Sequence, residues 1–108
     1  MATTGLNLHA ALVPHPGQTL LLRVWGDSMV GAGISHGDLL VVERGQAPRH
    51  GQIVVACLQG AFTLKRLMRR PGGWMLEAAH PAWPALPLGD GSTWGVVRHV
   101  IHTLPAGR

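Results

Sequence analysis

The chain has 108 residues, nine basic against five acidic side chains for a formal charge of +4, 46% hydrophobic residues, fifteen glycines, eight prolines and one cysteine, the profile of a single small globular domain. Glycine and proline together make about a fifth of it, above the ordinary ~12%, which favours a turn-rich, mainly β structure without reaching low complexity. One cysteine excludes an internal disulfide, and the best apolar stretch, Ile53 to Leu64, is too short and too interrupted by Gln59 and Gly60 to span a bilayer.

Taken in chain order, Met1 to Gln18 reads as an extended arm, because Pro14 and Pro16 deny it regular helix. The arm has no early Lys or Arg, so it does not read as a signal peptide, and the cytoplasm is the expected compartment, with no membrane partner. Residues 19–104 then form a β-rich core. Leu20 to Trp25 reads as a strand, followed by Gly26 to Gly33, a glycine-flanked stretch able to make one helical turn. Further strands are predicted over Asp38 to Glu43, Ile53 to Leu58, Ala61 to Arg69, Gly73 to Ala79 and Gly95 to Thr103, separated by turn signals such as HGD at 36–38, QG at 59–60, PGG at 71–73 and GDG at 89–91. Many short strands at such spacing predict an antiparallel sandwich or partly closed barrel. IVVACL (53–58) is apolar on both faces and belongs at the centre of a sheet, with Cys57 as a buried small hydrophobe. GVVRHVIHT (95–103) sets Val97, His99 and Ile101 opposite Val96, Arg98, Val100 and His102, which makes it half exposed or part of an interface.

The positive charge reflects scarce acids, since charged residues are only 13% of the chain. Arg66, Arg69 and Arg70, with Trp74 nearby, are the one cluster that could offer guanidinium and indole to a single strand. The simpler reading is a solvated strand end, and direct DNA binding is not expected. Seven histidines lack any spacing that sets two metal ligands beside a third, and Asp27, Asp38, Glu43, Glu77 and Asp90 are scattered among turns and strand ends. No metal or cofactor is expected.

Lys65 has a different setting. Eight of the nine basic residues are arginine, and the one lysine sits in AFTLKRL between apolar neighbours, on the opposite strand face from Arg66. Arginine stays protonated, whereas burial can strip a lysine of its charge and leave an amine that accepts a proton as a general base. A companion nucleophile would be Ser28, in the tight turn GDSM among Gly26, Gly31 and Gly33, where main-chain N–H groups can face a substrate carbonyl. One serine and one lysine could equally be a turn residue and a side chain reaching for solvent, and composition does not decide between them.

Two longer stretches decide more. RVWGDSMVGAGISHGDLLVVE (23–43) and HGQIVVACLQGAFTLKRL (50–67) resemble the LexA/UmuD group of Ser/Lys autopeptidases, and the likeness runs from about Leu6 to Leu104. The resemblance implies a LexA/signal-peptidase-like β-rich peptidase domain with a short helical turn at the nucleophile. It implies Ser28 as nucleophile, Lys65 as its general base and the Ser28 backbone N–H at the oxyanion. It also implies a homodimer built largely through the C-terminal strand. The opening LNLHAALVPHPGQTLLLRVWGDSM is more similar to UmuD-like members than to LexA. That implies an SOS-response accessory subunit for the catalytic subunit of a Y-family translesion DNA polymerase, with a RecA filament as a further partner. The alternatives are a peptidase acting in trans on an Ala-Gly or Cys-Gly segment, and the C-terminal domain of a LexA or phage-type repressor. The family's cleavage bond would fall at or before Met1, which suggests the shortened form, and Ala106-Gly107 is read as a coincidental match to it. Where the family often has Asn-Pro and then Tyr, this chain has His80-Pro81 and Trp83, so the role of that loop carries over weakly.

Overall fold

A computed structural model describes residues 16–105. Most of the expected arm, residues 1–15, and the Ala106-Gly107 pair lie outside the described residues. Pro16–Gln18, read as extended, instead forms one 3-10 turn at the entry to the first strand.

The mainly β expectation holds. Seven strands, β1 (Thr19–Arg23), β2 (Leu39–Glu43), β3 (Ile53–Leu58), β4 (Ala61–Arg70), β5 (Gly73–Glu77), β6 (Leu86–Pro87) and β7 (Ser92–Ile101), form one sheet in the order β1-β2-β7-β3-β4-β5-β6. Every neighbouring pair is antiparallel. The arrangement is a single sheet whose end strands, β1 and β6, do not pair with each other, so the ladder does not close into a barrel. The helical turn expected behind the serine is present as a 3-10 turn over Val30–Ala32. No helix among the described residues is long and apolar enough to cross a membrane.

β3 is the middle strand, as its two apolar faces require. Val55 points into a cluster with Val24, Met29, Ile34, Leu40 and Val42. Val54 and Ala56 point the other way, against Leu67, Leu76 and Val96. Cys57 is only partly buried, because it lies near the β3 end, opposite Ser92 and Phe62, where both clusters thin out.

β7 departs from simple alternation. Val41 faces His99 while Val42 faces Val97, and Val55 faces Gly95 while Ala56 faces Thr93, so Arg98 and Trp94 are extra residues that bulge the strand. Between the bulges ordinary alternation holds, with Val96 in the second cluster and Val97 packed against the first. Gly95, just before them, has no room for a side chain, since a Cβ would lie 2.5 Å from Val42 Cγ1 and 3.3 Å from the Glu43 carbonyl. Beyond the strand end, His102 Nδ1 lies 2.6 Å from the buried Asp38 carboxylate, which also accepts the Ser35 N–H at 2.8 Å. The Ser35 hydrogen bond and His102 hold that carboxyl below its ordinary range.

Leu76 is fully buried in the second cluster. Leu76→Ala is expected to cost about 2–5 kcal/mol, the usual range for deleting a buried leucine side chain and leaving a cavity. A urea unfolding curve checks this, and a change below about 1 kcal/mol would show that the second cluster collapses around the gap.

Candidate active site

The site begins with an uneven pairing. β4 runs for ten residues, but β5 pairs only with Arg66 to Arg70. Along the first half of β4 that edge is open, and the loop after β1 fills it. Two bonds fasten the loop: Gly31 N–H donates to the Ala79 carbonyl at 2.8 Å, just past the end of β5, and Ser28 Oγ donates to the Leu64 carbonyl at 3.3 Å. Glycine is required at 31, because a Cβ there would sit 2.6 Å from the Ala79 oxygen. Met29 and Ile34, buried on either side of the turn, anchor the loop in the first cluster.

This docking brings the two candidate residues together. Lys65 Nζ lies 3.5 Å from Ser28 Oγ, although 37 positions separate them. The amine also donates to Thr63 Oγ1 at 2.6 Å and to the Leu64 carbonyl at 3.2 Å. Every one of these partners is a neutral oxygen. Lys65 is only 6% exposed, and burial holds its amine below the ordinary lysine range. Such an amine can donate to the threonine and the carbonyl and still offer a lone pair toward the serine.

Ser28 and Lys65 open on a cavity of about 230 Å3 whose walls include Trp25, Asp27, Phe62, Thr63 and Trp83. Trp83 closes one side with its ring centroid 5.7 Å from Lys65 Nζ. The loop carrying it is held by Ala82 and Trp83 N–H groups bonded to His80, and His80 Nε2 lies 3.5 Å from Asp27 Oδ2. The segment that departs from the family pattern in sequence is therefore a wall of the site. Trp25 stands 82% exposed at the rim, edge-on to His36 at 4.9 Å. His36 Nδ1 accepts the Gly26 N–H at 3.0 Å, which orders the turn just before the serine. A second, more apolar hollow of about 250 Å3 adjoins the first and shares Trp25, Phe62, Thr63 and Leu64 with it.

Thr63 and His36 escaped sequence reasoning. Thr63 is two residues before Lys65 on the same strand face, a spacing that could have marked it as a neighbour of the amine. His36 comes from a distant part of the loop and left no local signal. Among the described residues no three His, Cys, Asp or Glu side chains gather as metal ligands would.

Known proteins align with this chain over most of its length. The peptidase S24-like family model matches residues 2–98. Protein ImpA of Salmonella typhimurium is 42% identical over 98 residues, covering 90% of this chain and 68% of that protein. Protein MucA of Escherichia coli is 43% identical over 99 residues, covering 89% and 68%. The LexA repressor of Syntrophotalea carbinolica is 41% identical over 90 residues, covering 77% of this chain but 45% of the repressor.

Because the Lys65 amine sheds its proton at lower pH when folded than when unfolded, the unfolded chain binds more protons between those two values, and stability rises with pH across that window. Below the window the charged amine is buried at its full desolvation cost. Lys65→Met is therefore expected to raise the melting temperature at neutral pH, with the gain shrinking as pH approaches about 10.4, where a free lysine titrates. Scanning calorimetry at neutral and alkaline pH checks the sign, and a lower melting temperature at neutral pH would contradict it.

Proposed function

This chain belongs to the peptidase S24-like family, and we propose that it is a Ser/Lys peptidase-fold subunit of the UmuD-like kind, with Ser28 as nucleophile and Lys65 as general base. The observation that carries the reading is the buried Lys65 amine, depressed in basicity, 3.5 Å from Ser28 Oγ at the mouth of a cavity. In the proposed reaction the neutral amine takes the Ser28 hydroxyl proton as Oγ bonds to the scissile carbonyl carbon. The carbonyl electrons move to oxygen, where the Ser28 N–H helps hold them. Collapse breaks the C–N bond, and the Lys65 ammonium returns its proton to the leaving amine. Water, deprotonated by the same amine, then adds to the acyl carbon; the C–Oγ bond breaks, the carboxylic acid leaves, and the Lys65 ammonium returns the proton to Ser28 Oγ. Thr63 and the Leu64 carbonyl aim the amine throughout. The 3.5 Å separation shortens when substrate seals the cavity, as such contacts do on binding.

The apolar hollow beside the cavity suits a small apolar segment such as Ala-Gly or Cys-Gly. Its supplier would be another chain, as in the trans reading, or the chain's own preceding segment. The UmuD-like assignment rests on the resemblance of the opening segment, and identities of 42% to ImpA and 43% to MucA over about nine-tenths of this chain support it. In this role the protein is a homodimer that docks on the catalytic subunit of a Y-family translesion polymerase during the SOS response, with a RecA filament as a further partner. β7 lies inside the sheet between β2 and β3, so a dimer built on the C-terminal strand would use its side chains and the residues after Ile101, not its backbone edge.

Mixing the protein with a full-length relative that carries an uncleaved Ala-Gly or Cys-Gly segment tests the chemistry. Cleavage is expected, with a rate that climbs toward alkaline pH and levels off below about pH 10.4. Ser28→Ala and Lys65→Ala should each lower it by at least about a thousandfold. Equal cleavage by all three proteins, or a flat pH profile, would remove the proposed pair. Copurification with the Y-family polymerase subunit of the same source is expected for the accessory role, and its failure would overturn that role while leaving the peptidase reading intact.

A further inference from the structure

The arginines are not spread evenly. The loop between β2 and β3, residues 44–52, collects them from three directions. Arg44 opens it, with its guanidinium 4.2 Å from the Trp94 ring centroid. Arg49 lies in it, and Arg98 arrives from the bulge in β7. Arg66 reaches it from β4, donating to the Gly51 carbonyl at 2.7 Å, while Arg69 N–H donates to His50 Nδ1 at 2.8 Å. Of the strand carboxylates nearby, Glu77 is matched by Arg70 at 2.9 Å, and Glu43 is buried beside Arg98 at 3.6 Å. Arg49, exposed, has no ion-pair or hydrogen-bond partner for its guanidinium among the described residues.

Two hollows flank this loop. One, of about 170 Å3, is predominantly polar and is lined by Arg49, Arg98, Gln46 and Gln52. Two guanidinium groups and two carboxamides give it many donors. The other, of about 210 Å3 and mostly apolar, is lined by Trp74, Leu67, Leu88, Thr93 and Pro48. They are neighbours: Pro48 in one precedes Arg49 in the other, and Val96 and Thr93 of β7 contribute to one each. Arg69 stands over Trp74 at 5.7 Å, next to the apolar hollow. A small anion would use the polar hollow and leave the apolar one without purpose.

We propose that this loop face binds single-stranded nucleic acid, with a backbone phosphate at Arg49 and Arg98 and an adjacent base against Trp74. The pairing of a cationic pocket that holds phosphate with an aromatic surface that takes a base face is how single strands are bound without sequence preference. A duplex keeps its bases stacked inside and offers nothing to the apolar hollow. Single-strand binding here runs against the sequence expectation of no direct DNA binding, and the physical reason is where the free charge lies. Of the cluster Arg66, Arg69 and Arg70, two members are engaged by Gly51 and Glu77, and the unmatched charge that faces the ligand comes from Arg49, with the half-exposed Arg98, beside Glu43, as a further donor. The site shares no residue with the Ser28 cavity, so the proposal is independent of the peptidase reading.

Fluorescence anisotropy of a labelled oligothymidylate, titrated with the full chain at about 50 mM salt and upward, tests it. Saturable binding that weakens with salt is expected. Arg49→Ala should weaken it and reduce the log–log salt slope by about 0.7, the value for one lost single-strand phosphate contact. Trp74→Leu should weaken it about fivefold or more. Arg23→Ala, on the far side of the sheet at β1, and Ser28→Ala should bind as the parent does. Competition by inorganic phosphate, by a mononucleotide and by a duplex distinguishes the source of the phosphate, and the unlabelled single strand should compete best. The proposal is overturned by absence of saturable binding at low salt, by equal losses in Arg23→Ala and Arg49→Ala, or by inorganic phosphate competing as well as the oligonucleotide. If Trp74→Leu does not fold, the Arg49→Ala slope decides the outcome.

Discussion

β4 changes neighbour halfway along its length. Its second half is sealed by β5, but its first half, Ala61 to Lys65, has β3 on one side and open backbone on the other. Unpaired strand edges have to be covered or hydrated. Here the loop between β1 and β2 takes the place of a strand, with Gly31 bonded where β5 ends and Ser28 bonded to Leu64. The serine therefore reaches the lysine through sheet geometry, without any local sequence link. Had β5 run five residues further, Ser28 would have had no carbonyl to meet.

The same arrangement explains how a lysine can be tolerated at a site with 6% exposure. A buried ammonium normally needs a carboxylate, and a carboxylate would lock the proton on. Lys65 has oxygen dipoles instead, from Thr63, Leu64 and Ser28. These satisfy its N–H groups while leaving the neutral form accessible. Asp27, the carboxylate at the rim, is turned toward His80. The permanently charged guanidinium groups are kept elsewhere, most of them around the β2–β3 loop, where salt-screened attraction to an anion needs no proton exchange. Lysine and arginine thus divide along the one property that distinguishes them here, the ease of losing a proton.

Much of the sheet is legible in the sequence, because period-two patterns and turn residues are local. IVVACL announces its central place by being apolar on both faces, and the glycine-flanked GDSM announces a tight turn. What is not legible depends on distant contacts. Gly73 to Ala79 stops as a strand at Glu77, because Ala79 gives its carbonyl to Gly31. Leu86–Pro87 is absent from the predicted strands, since two residues with a proline carry no period, yet it pairs with Met75 and Leu76. The bulges at Trp94 and Arg98 shift the register of β7 against β3 and β2, and no turn or breaker residue in the sequence marks them. The serine–lysine pair could be recognised by resemblance but not by composition. Thr63, His36 and the Arg49–Arg98 pocket come together only when segments far apart in sequence fold against one another.

The position of β7 also governs when the structure can exist at all. β2 and β3 are consecutive in the chain but never touch as partners, because β7 lies between them. A chain emerging from the ribosome can form the β1–β2 hairpin and the β3–β4–β5 meander early, since each is joined by nearby residues. No strand ladder joins the two pieces until Ser92–Ile101 inserts between them; before that only the loop contacts of Ser28 and Gly31 and the first apolar cluster can hold them, and His102 fastens the inserted end to Asp38. Ser28 belongs to the first piece and Lys65 to the second. A nascent chain therefore carries both groups before the strand that ties their two pieces into one sheet has been made, and the site gains its full framework only once β7 is in place.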